Sequence, residues 1–318
     1  MTSLLQEEYS QLEKGLLCFS LSDPVLRFQG EDVKSFLQGA LSNDIKLLSD
    51  DRGMAALHLT AKGKWISALH LFQGKEGIWA HTSNLEKDLL FKNIQNLIFF
   101  SKSELVDLSQ EYSWLFLVGE GLSSFFRKWN VTNLGPWFHG TLLDENLKLD
   151  FLIDPRWKYP AAWLLLPNKI KTDFLKQHAE LILGSESILE LARIESKIAQ
   201  FGTDFDEKNL PQEVIRDEDY ISYTKGCYIG QETVSRIKHY GKTNKRICFL
   251  EIENNESLTK GSIVLKNDSE IGKISSCILH PITQKTIALA MLPTLNLEES
   301  NQIFVKTEKD LLRVSSFI

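Results

Sequence analysis

Apolar side chains recur along the first 240 residues at two spacings, which predict a mixture of helices and strands. We predict strands over Met54–Leu59, Trp65–Phe72 and Tyr112–Val118. Between the first two strands, Thr60–Lys64 predicts a hairpin turn in which Gly63 takes a positive φ. A helical period predicts helices over Glu31–Gln38, Leu122–Trp129, Ile170–Leu183 and Glu186–Gln200. Another predicted helix is capped by Asn84 and carries Leu85, Leu89, Ile94 and Leu97. Because strands and helices are not in regular alternation, we expect an α+β fold.

The pattern changes after about residue 242, where short β-prone runs follow one another with turn residues between them. Asn267-Asp268 is typical of a tight turn. The runs are Lys245–Glu253, Gly261–Lys266, Glu270–Leu279, Lys285–Leu292 and Gln302–Lys306. They predict a small β-barrel or sandwich over 243–318, preceded by a mixed region over 1–242.

Composition and charge narrow the class of protein. The 318 residues are 43% hydrophobic and 25% charged, which is typical of a folded chain with more than one core. The net charge of −6 argues against a protein whose main role is to wrap nucleic acid. The acidic N-terminus predicts no signal peptide, and the apolar runs are too short to span a membrane, so we expect a cytoplasmic protein without membrane contact.

The four cysteines do not form a metal-binding pattern. None belongs to a C-x-x-C pair, and no histidine stands at metal-ligand spacing from any of them. We therefore expect no structural metal and no self-ligated iron–sulfur cluster. The cysteines are Cys18, Cys227, Cys248 and Cys277.

The segment Lys225–Glu232, with the sequence KGCYIGQE, is the most unusual part of the chain. Gly226 and Gly230 allow a tight turn whose free N–H groups favour an anion or thiolate near a helix start. Lys225 would add positive charge, so Cys227 is a candidate reactive thiol. The alternative is that Cys227 is only a small buried residue in a turn.

Positive charge is concentrated around this segment. Residues 225–246 contain six basic side chains and one acidic one, in a chain that is acidic as a whole. Such a segment favours an anionic ligand, for example a folate glutamate tail, a phosphate or an RNA backbone. A solvated surface with spare lysines is the alternative.

Several ordered blocks, KGCYIGQE first among them, resemble the YgfZ family of folate-binding proteins, which is related to the glycine-cleavage T-protein. Mitochondrial members of the family help assemble iron–sulfur proteins. The other blocks are Arg193-Ile194-Glu195, Gly202-Thr203-Asp204, Pro211-Gln212-Glu213, Gly30-Glu31-Asp32, Phe36–Gly39, Leu41–Asp44 and Thr60–Lys64. Together they cover most of residues 25–250.

The resemblance implies a three-lobed ring of two α+β lobes and a C-terminal β-barrel, with tetrahydrofolate or a one-carbon derivative in the central hole. A carboxylate can accept paired hydrogen bonds from an aminopyrimidine edge, so Glu195 is the expected pterin anchor. Arg193 would be its ion-pair partner or a surface charge. The remaining candidate cofactor contacts are Asn43, Tyr228, Gln231, Glu232 and Arg236, and Cys227 and Lys225 are the candidate reactive pair.

One departure from the T-protein bears on activity. The transferase carries an acidic pair on the strand after the glycine turn, and here Ser67 and Ala68 stand at those positions. Without a carboxylate to stabilise the developing positive charge, aminomethyl transfer is not expected. His70, on the same strand, is interpreted as a rim or core residue.

Three functions follow as hypotheses. The first is a folate-dependent accessory factor for iron–sulfur proteins or their assembly machinery, including tRNA-modifying radical enzymes, with folate as its ligand. The second is a tetrahydrofolate-dependent one-carbon transferase with relocated catalytic groups. The third is an RNA-binding module that uses residues 225–246, which the overall acidity disfavours.

Overall fold

The structure is a computed structural model that describes residues 2–99, 101–144, 147–253, 258–294, 303–307 and 311–317. The helices are α1 (Thr2–Lys14), α2 (Val33–Ala40), α3 (Lys87–Ile98), α4 (Leu122–Arg127), α5 (Lys171–Gln177), α6 (Glu186–Glu195), α7 (Pro211–Val214) and α8 (Gln231–Tyr240). The strands are β1 (Leu17–Ser20), β2 (Val25–Gly30), β3 (Met54–Leu59), β4 (Trp65–Gly74), β5 (Gly77–His81), β6 (Ser103–Asp107), β7 (Tyr112–Val118), β8 (His139–Asp144), β9 (Leu147–Ile153), β10 (Ala161–Pro167), β11 (Ile182–Leu183), β12 (Lys245–Ile252), β13 (Ile263–Lys266), β14 (Ser269–Leu279), β15 (Thr286–Pro293), β16 (Ile303–Lys306) and β17 (Leu311–Phe317).

These elements form two sheets and a closed barrel. The first sheet has the order β3-β4-β5-β2-β6, and the second has the order β11-β1-β7-β10-β9-β8. The barrel closes in the order β12-β15-β14-β13-β16-β17. The predicted α+β class with a C-terminal barrel is therefore confirmed. The division into domains at residues 242/243 stays a prediction.

One apolar core runs through all three units. It joins Phe72 of the first sheet to Trp114 and Trp163 of the second, and it continues to Leu289 of the barrel. A further core lies behind each of the two sheets, and another fills the barrel. Burial of this shared core presses the three units together, which fixes the residues at their junctions.

The predicted hairpin forms as expected. β3 and β4 pair antiparallel, and Gly63 takes a φ of +71° in the turn between them. Asn267 and Asp268 also take left-handed φ values, of 48° and 62°, in the turn between β13 and β14. Both turns need this conformation to match the twist of the strands that they join.

Several helix predictions were wrong at their ends. Asn84 does not cap α3: its N–H donates to Asp23, and the helix begins at Lys87. The helix predicted over Ile170–Leu183 ends at Gln177, because Ile182–Leu183 instead pairs in parallel with β1. Tertiary pairing overrides the helical period there.

The helix predicted over Glu186–Gln200 likewise ends at Glu195, and Lys197 has a φ of 58°, which breaks the helical path. The helix predicted over Leu122–Trp129 is two residues shorter than expected. Sequence reasoning missed α1, the sixth barrel strand β17 and eight strands of the two sheets, namely β1, β2, β5, β6, β8, β9, β10 and β11. Gln302 lies outside the described residues.

Candidate functional site

Glu195 is the last residue of α6, and three side chains from other elements hold its carboxylate. Lys158 donates to Oε1 at 2.8 Å, and Nε2 of His280 lies 3.3 Å from the same oxygen. The hydroxyl of Tyr159 donates to Oε2 at 2.9 Å. Tyr9 of α1 completes the group, since its hydroxyl oxygen lies 3.1 Å from that of Tyr159 and 3.2 Å from Nε2 of His280.

The carboxylate of Glu195 is ionised at neutral pH. Burial alone would raise its pKa, but the hydrogen bonds from His280, Lys158 and Tyr159 outweigh burial and hold the pKa below its usual value. The side chain is only 9% exposed. A buried, charged acceptor of this kind binds N–H donors strongly.

A pocket of about 360 Å³ opens at this carboxylate, and α1, α6, the loop before β10 and the barrel all contribute to its wall. Its lining residues are Tyr9, Glu13, Lys158, Glu195, Phe249, Glu251, His280, Ile282, Thr283 and Ile287. The volume lies at the lower end of the range typical of small-molecule sites. Glu195 thus faces a concave site between units, as a ligand anchor must.

Lys225 fastens the KGCYIGQE segment to the end of α2. Its Nζ donates to the backbone oxygens of Gln38, Leu41 and Asn43, each at 2.7 Å. Its ammonium also lies 5.2 Å from the ring centroid of Tyr228. Burial lowers the pKa of Lys225 to about 8. Lys225 therefore holds the loop against the end of α2, and its role beside the thiol stays a prediction.

The segment is anchored on the far side of the cysteine as well. The N–H of Ile229 donates to the backbone oxygen of Gly39, and Gly230 takes a φ of +86°. A Cβ at Gly230 would lie 2.7 Å from the backbone oxygen of Thr60, so only glycine fits. Between these anchors Cys227 is exposed, which excludes the alternative of a buried turn residue.

The pocket lining at Glu195 contains no residue from the segment that carries Cys227. The cysteine loop contacts α2 and the β3–β4 hairpin instead. The two candidate groups therefore occupy separate surfaces of the described protein.

Arg193 has neither of the two roles expected for it, which were an ion pair with Glu195 and a surface charge. Its guanidinium donates to Glu190 and to Asp204, the latter at 2.7 Å, and to Oγ of Ser276 in the barrel at 2.8 Å. The side chain is 8% exposed, so it is not a surface charge. The correction is that Arg193 forms a buried contact between α6 and the barrel, and Glu195 takes Lys158 as its partner instead.

The other candidate contacts are spread around the cysteine loop. Asn43 donates to the backbone oxygen of Ala55 and accepts from Asp44, so it shapes the turn after α2. Tyr228 is buried, whereas Glu232 and Arg236 are exposed on α8 and Gln231 is half-buried at its start. Their ligand roles stay predictions.

The positions of the T-protein acids carry no carboxylate, but a buried carboxyl group lies close by. Oγ of Ser67 lies 2.7 Å from Oγ1 of Thr82, and the N–H of Ala68 donates to Glu86. Glu86 also accepts from the indole N–H of Trp65. Burial dominates and raises the pKa of Glu86 to about 7. The sequence alone did not single out this residue.

A second polar cluster lies between the two sheets. Asp154 accepts from Arg156 and from the indole N–H of Trp163, and Arg156 also donates to the hydroxyl of Tyr220. His70 stacks near Trp163 with a centroid separation of 6.1 Å. His70 is therefore a buried residue of the junction, as predicted.

The described ranges contain neither a candidate metal site nor a candidate membrane-spanning helix. No group of three His, Cys, Asp or Glu side chains there could hold a metal ion. None of the helices described is long and apolar enough to cross a membrane.

Comparison with known proteins is consistent with this architecture. The glycine-cleavage aminomethyltransferase T of Bartonella henselae superposes with a TM-score of 0.81, at 14% identity, over 98% of this chain and 88% of that one. Residues 245–315 match the glycine cleavage T-protein C-terminal barrel domain. The chain therefore has a T-protein-like fold.

Several sequences that match most of the chain are YgfZ proteins. The tRNA-modifying protein YgfZ of Aliivibrio fischeri (strain MJ11) is 28% identical over 86% of this chain and 83% of its own length. YgfZ of Buchnera aphidicola is 29% identical over 77% of this chain and 76% of its own length. Over most of its length the chain is therefore similar to YgfZ proteins.

Proposed function

We propose that this protein binds tetrahydrofolate or a one-carbon derivative and supports the maturation and repair of iron–sulfur proteins, among them enzymes that modify tRNA. The observation that carries the folate part is the ionised carboxylate of Glu195, held at a pocket between α1, α6 and the barrel. The names of the YgfZ relatives support the link to tRNA modification.

The donor set around Glu195 fits a pterin. A carboxylate offers about four acceptor positions, and three are used within the protein. Lys158 is the donor that can give way, since its side chain is 47% exposed. An aminopyrimidine edge can then take the position of Lys158 and the free lone pair together, while Tyr159 and His280 keep the carboxylate in place.

The folate part is tested by calorimetric titration with tetrahydrofolate and with its 5-formyl form. We expect both to bind the wild type, and Glu195→Gln to weaken both by at least tenfold, because an amide lacks the charge that strengthens these bonds. Glu186→Gln, an exposed residue of the same helix, is the matched control and leaves binding unchanged. Equal affinity in Glu195→Gln and the wild type would rule out this anchor.

Cys227 is the group proposed to act on iron–sulfur partners. One thiolate cannot ligate a whole cluster, so any contact with a cluster is shared with the partner or brief. The anchored loop supports this role, because it presents the thiol to solvent between two fixed points. A partner protein can therefore reach the sulfur without rearranging the chain.

The cysteine is tested in cells whose iron–sulfur enzymes depend on this protein. Cys227→Ala is expected to lower the activity of those enzymes, whereas Cys277→Ala, which alters a cysteine in the barrel, serves as the control. Full enzyme activity with Cys227→Ala would remove the thiol from the proposal and leave folate binding intact.

Aminomethyl transfer is the second candidate. Glu86 is the one observation in its favour, since its carboxyl group accepts from the N–H of Ala68. However, Trp65, Ala68 and Thr82 already occupy that carboxyl group. Turnover of tetrahydrofolate with an aminomethyl or dimethylglycine-like donor by the wild type, abolished in Glu86→Gln, would favour transfer over the accessory role.

A further inference from the structure

His280 lies where the barrel meets the pocket at Glu195. It is the first residue after β14, and the turn over 281–285 that follows it leads into β15. Its side chain is buried and forms part of the pocket wall. The two ring nitrogens contact different parts of the site, because Nδ1 faces the turn and Nε2 faces Glu195.

Nδ1 of His280 holds the middle of the turn. The backbone N–H groups of Ile282 and Thr283 both donate to it, each at 3.2 Å. Among the described residues, these two N–H groups have no other acceptor. Both residues line the pocket, so the ring fixes a section of its wall. Because a backbone N–H can only donate, Nδ1 must be an unprotonated acceptor.

Nε2 of His280 contacts the carboxylate that anchors the proposed ligand. It lies 3.3 Å from Oε1 of Glu195 and 3.2 Å from the hydroxyl oxygen of Tyr9. The carboxylate can only accept, so Nε2 carries a proton. The ring of Tyr9 also packs against the imidazole, with 4.8 Å between the centroids. Both sides of the ring therefore require the same form, neutral with its proton on Nε2.

A second proton on the ring would disturb the turn. The Glu195 carboxylate would stabilise the added charge, but the new N–H at Nδ1 would face the two backbone N–H groups that now donate to it. Those two groups would have to move away, and the wall of the pocket would move with them. The titratable and charged groups around the ring and the pocket are Tyr9 and Glu13 of α1, Glu195 of α6, Lys158 and Tyr159 of the loop before β10, and Glu251 and Lys285 of the barrel.

We propose that His280 is a positioning residue that joins the pocket wall to the anchor, so that the folate ligand binds tightly only while the ring is neutral. The inference rests on the proposed folate binding and adds a control of that binding by pH. A ligand seated against Ile282 and Thr283 keeps Nδ1 unprotonated, and a proton on Nδ1 loosens the same wall. Acid therefore weakens binding, and binding to the protonated protein releases a proton.

The first test is spectroscopic and needs no ligand. Long-range proton–nitrogen NMR of protein labelled on its histidine rings shows which ring nitrogens carry a proton, and the spectrum of His280→Asn assigns the signals. At neutral pH we expect the proton of His280 on Nε2. On acidification, Nδ1 should gain a proton in the same step in which the N–H groups of Ile282 and Thr283 lose protection from hydrogen exchange. A proton on Nδ1 at neutral pH would overturn the proposal.

The second test divides the two contacts of the ring between two variants. His280→Asn supplies an acceptor near the position of Nδ1, and His280→Gln supplies a donor near that of Nε2. Calorimetric titration at neutral pH is expected to show that each variant binds tetrahydrofolate roughly three- to tenfold more weakly than the wild type. His239→Asn, which alters an exposed histidine of α8, is the matched control and leaves binding unchanged.

The pH dependence is measured in the same way. The affinity of the wild type for tetrahydrofolate should fall across the step that NMR detects for His280, whereas His280→Asn and His280→Gln show no change in affinity at that step. At the pH where half of the rings are charged, titration in two buffers of different ionisation enthalpy should detect the release of about half a proton per site.

The outcomes separate this inference from the proposal on which it rests. If tetrahydrofolate binds the wild type and both variants equally, or if its affinity does not change across the His280 step, the role of His280 is wrong and folate binding stands. If no folate binds the wild type, both proposals fail. Thermal unfolding shows whether each variant keeps the fold, and the NMR and pH tests on the wild type decide the matter even if a variant does not fold.

Discussion

The buried carboxyl group of Glu86 makes a prediction whose size follows from the structure. The side chain is 3% exposed, and burial raises its pKa from 4.5 to about 7. In the unfolded chain the same group titrates near its ordinary value. Between the two pKa values the native state holds a proton that the unfolded state has lost, so stability falls as the pH rises.

The magnitude comes from the size of the shift. Each pKa unit corresponds to 1.36 kcal/mol, so Glu86 contributes about 3 kcal/mol that is present below pH 4.5 and is lost as the pH rises through 7. No discount for solvent applies, because the group is buried. A glutamine at this position cannot ionise and has no such dependence, although its one side-chain oxygen cannot accept both from Trp65 on one side and from Thr82 and Ala68 on the other.

The assay is urea unfolding of the wild type and Glu86→Gln at pH 4 and pH 8. The unfolding free energy of the wild type minus that of the variant is expected to fall by about 3 kcal/mol between the two values. Glu104→Gln, which removes an exposed carboxyl group from the same unit, is the control. A difference that stays constant from pH 4 to pH 8 would falsify the account of Glu86 as a strained buried acid.

Three further predictions concern other parts of the molecule. Arg193→Met leaves a buried carboxylate unpaired and is expected to lower the unfolding free energy by about 3 kcal/mol in urea, whereas a loss under 1 kcal/mol would mean that the contact is not structural. Iodoacetamide at pH 8 should label Cys227 first by mass spectrometry, because burial raises the pKa of Cys277 to about 11; first labelling at another cysteine would contradict the exposed loop. Gly230→Ala should lower the melting temperature through strain at positive φ, and an unchanged value would refute the tight contact there.

Local patterns in the sequence were enough to predict the units of the fold. The turn Thr60–Lys64 with its Gly63 defined the β3–β4 hairpin, because the turn and the strands are neighbours in the chain. The shift to short strands after residue 242 likewise predicted the barrel. The helix over Ile170–Leu183 failed for the opposite reason, since its end pairs with a strand some 165 residues earlier in the chain.

The candidate site was less accessible to sequence reasoning. Glu195 was identified through a family motif, but Tyr9, Lys158 and His280 lie in segments with no motif and meet it only in the folded chain. The helical spacing of Leu5, Tyr9 and Leu12 was a signal that could have revealed α1. The pairing of Arg193 with the barrel could not have been predicted, because it depends on how two units pack.

The wall of the pocket at Glu195 draws on residues from Tyr9 to Ile287. During synthesis, the N-terminal part of that wall exists long before the barrel that closes it has left the ribosome. An unfinished or truncated chain lacking the barrel therefore has no such pocket, however well its first units fold. A small molecule can therefore bind there only after the whole chain has been made and folded. Its release during denaturation would coincide with separation of the barrel from α6.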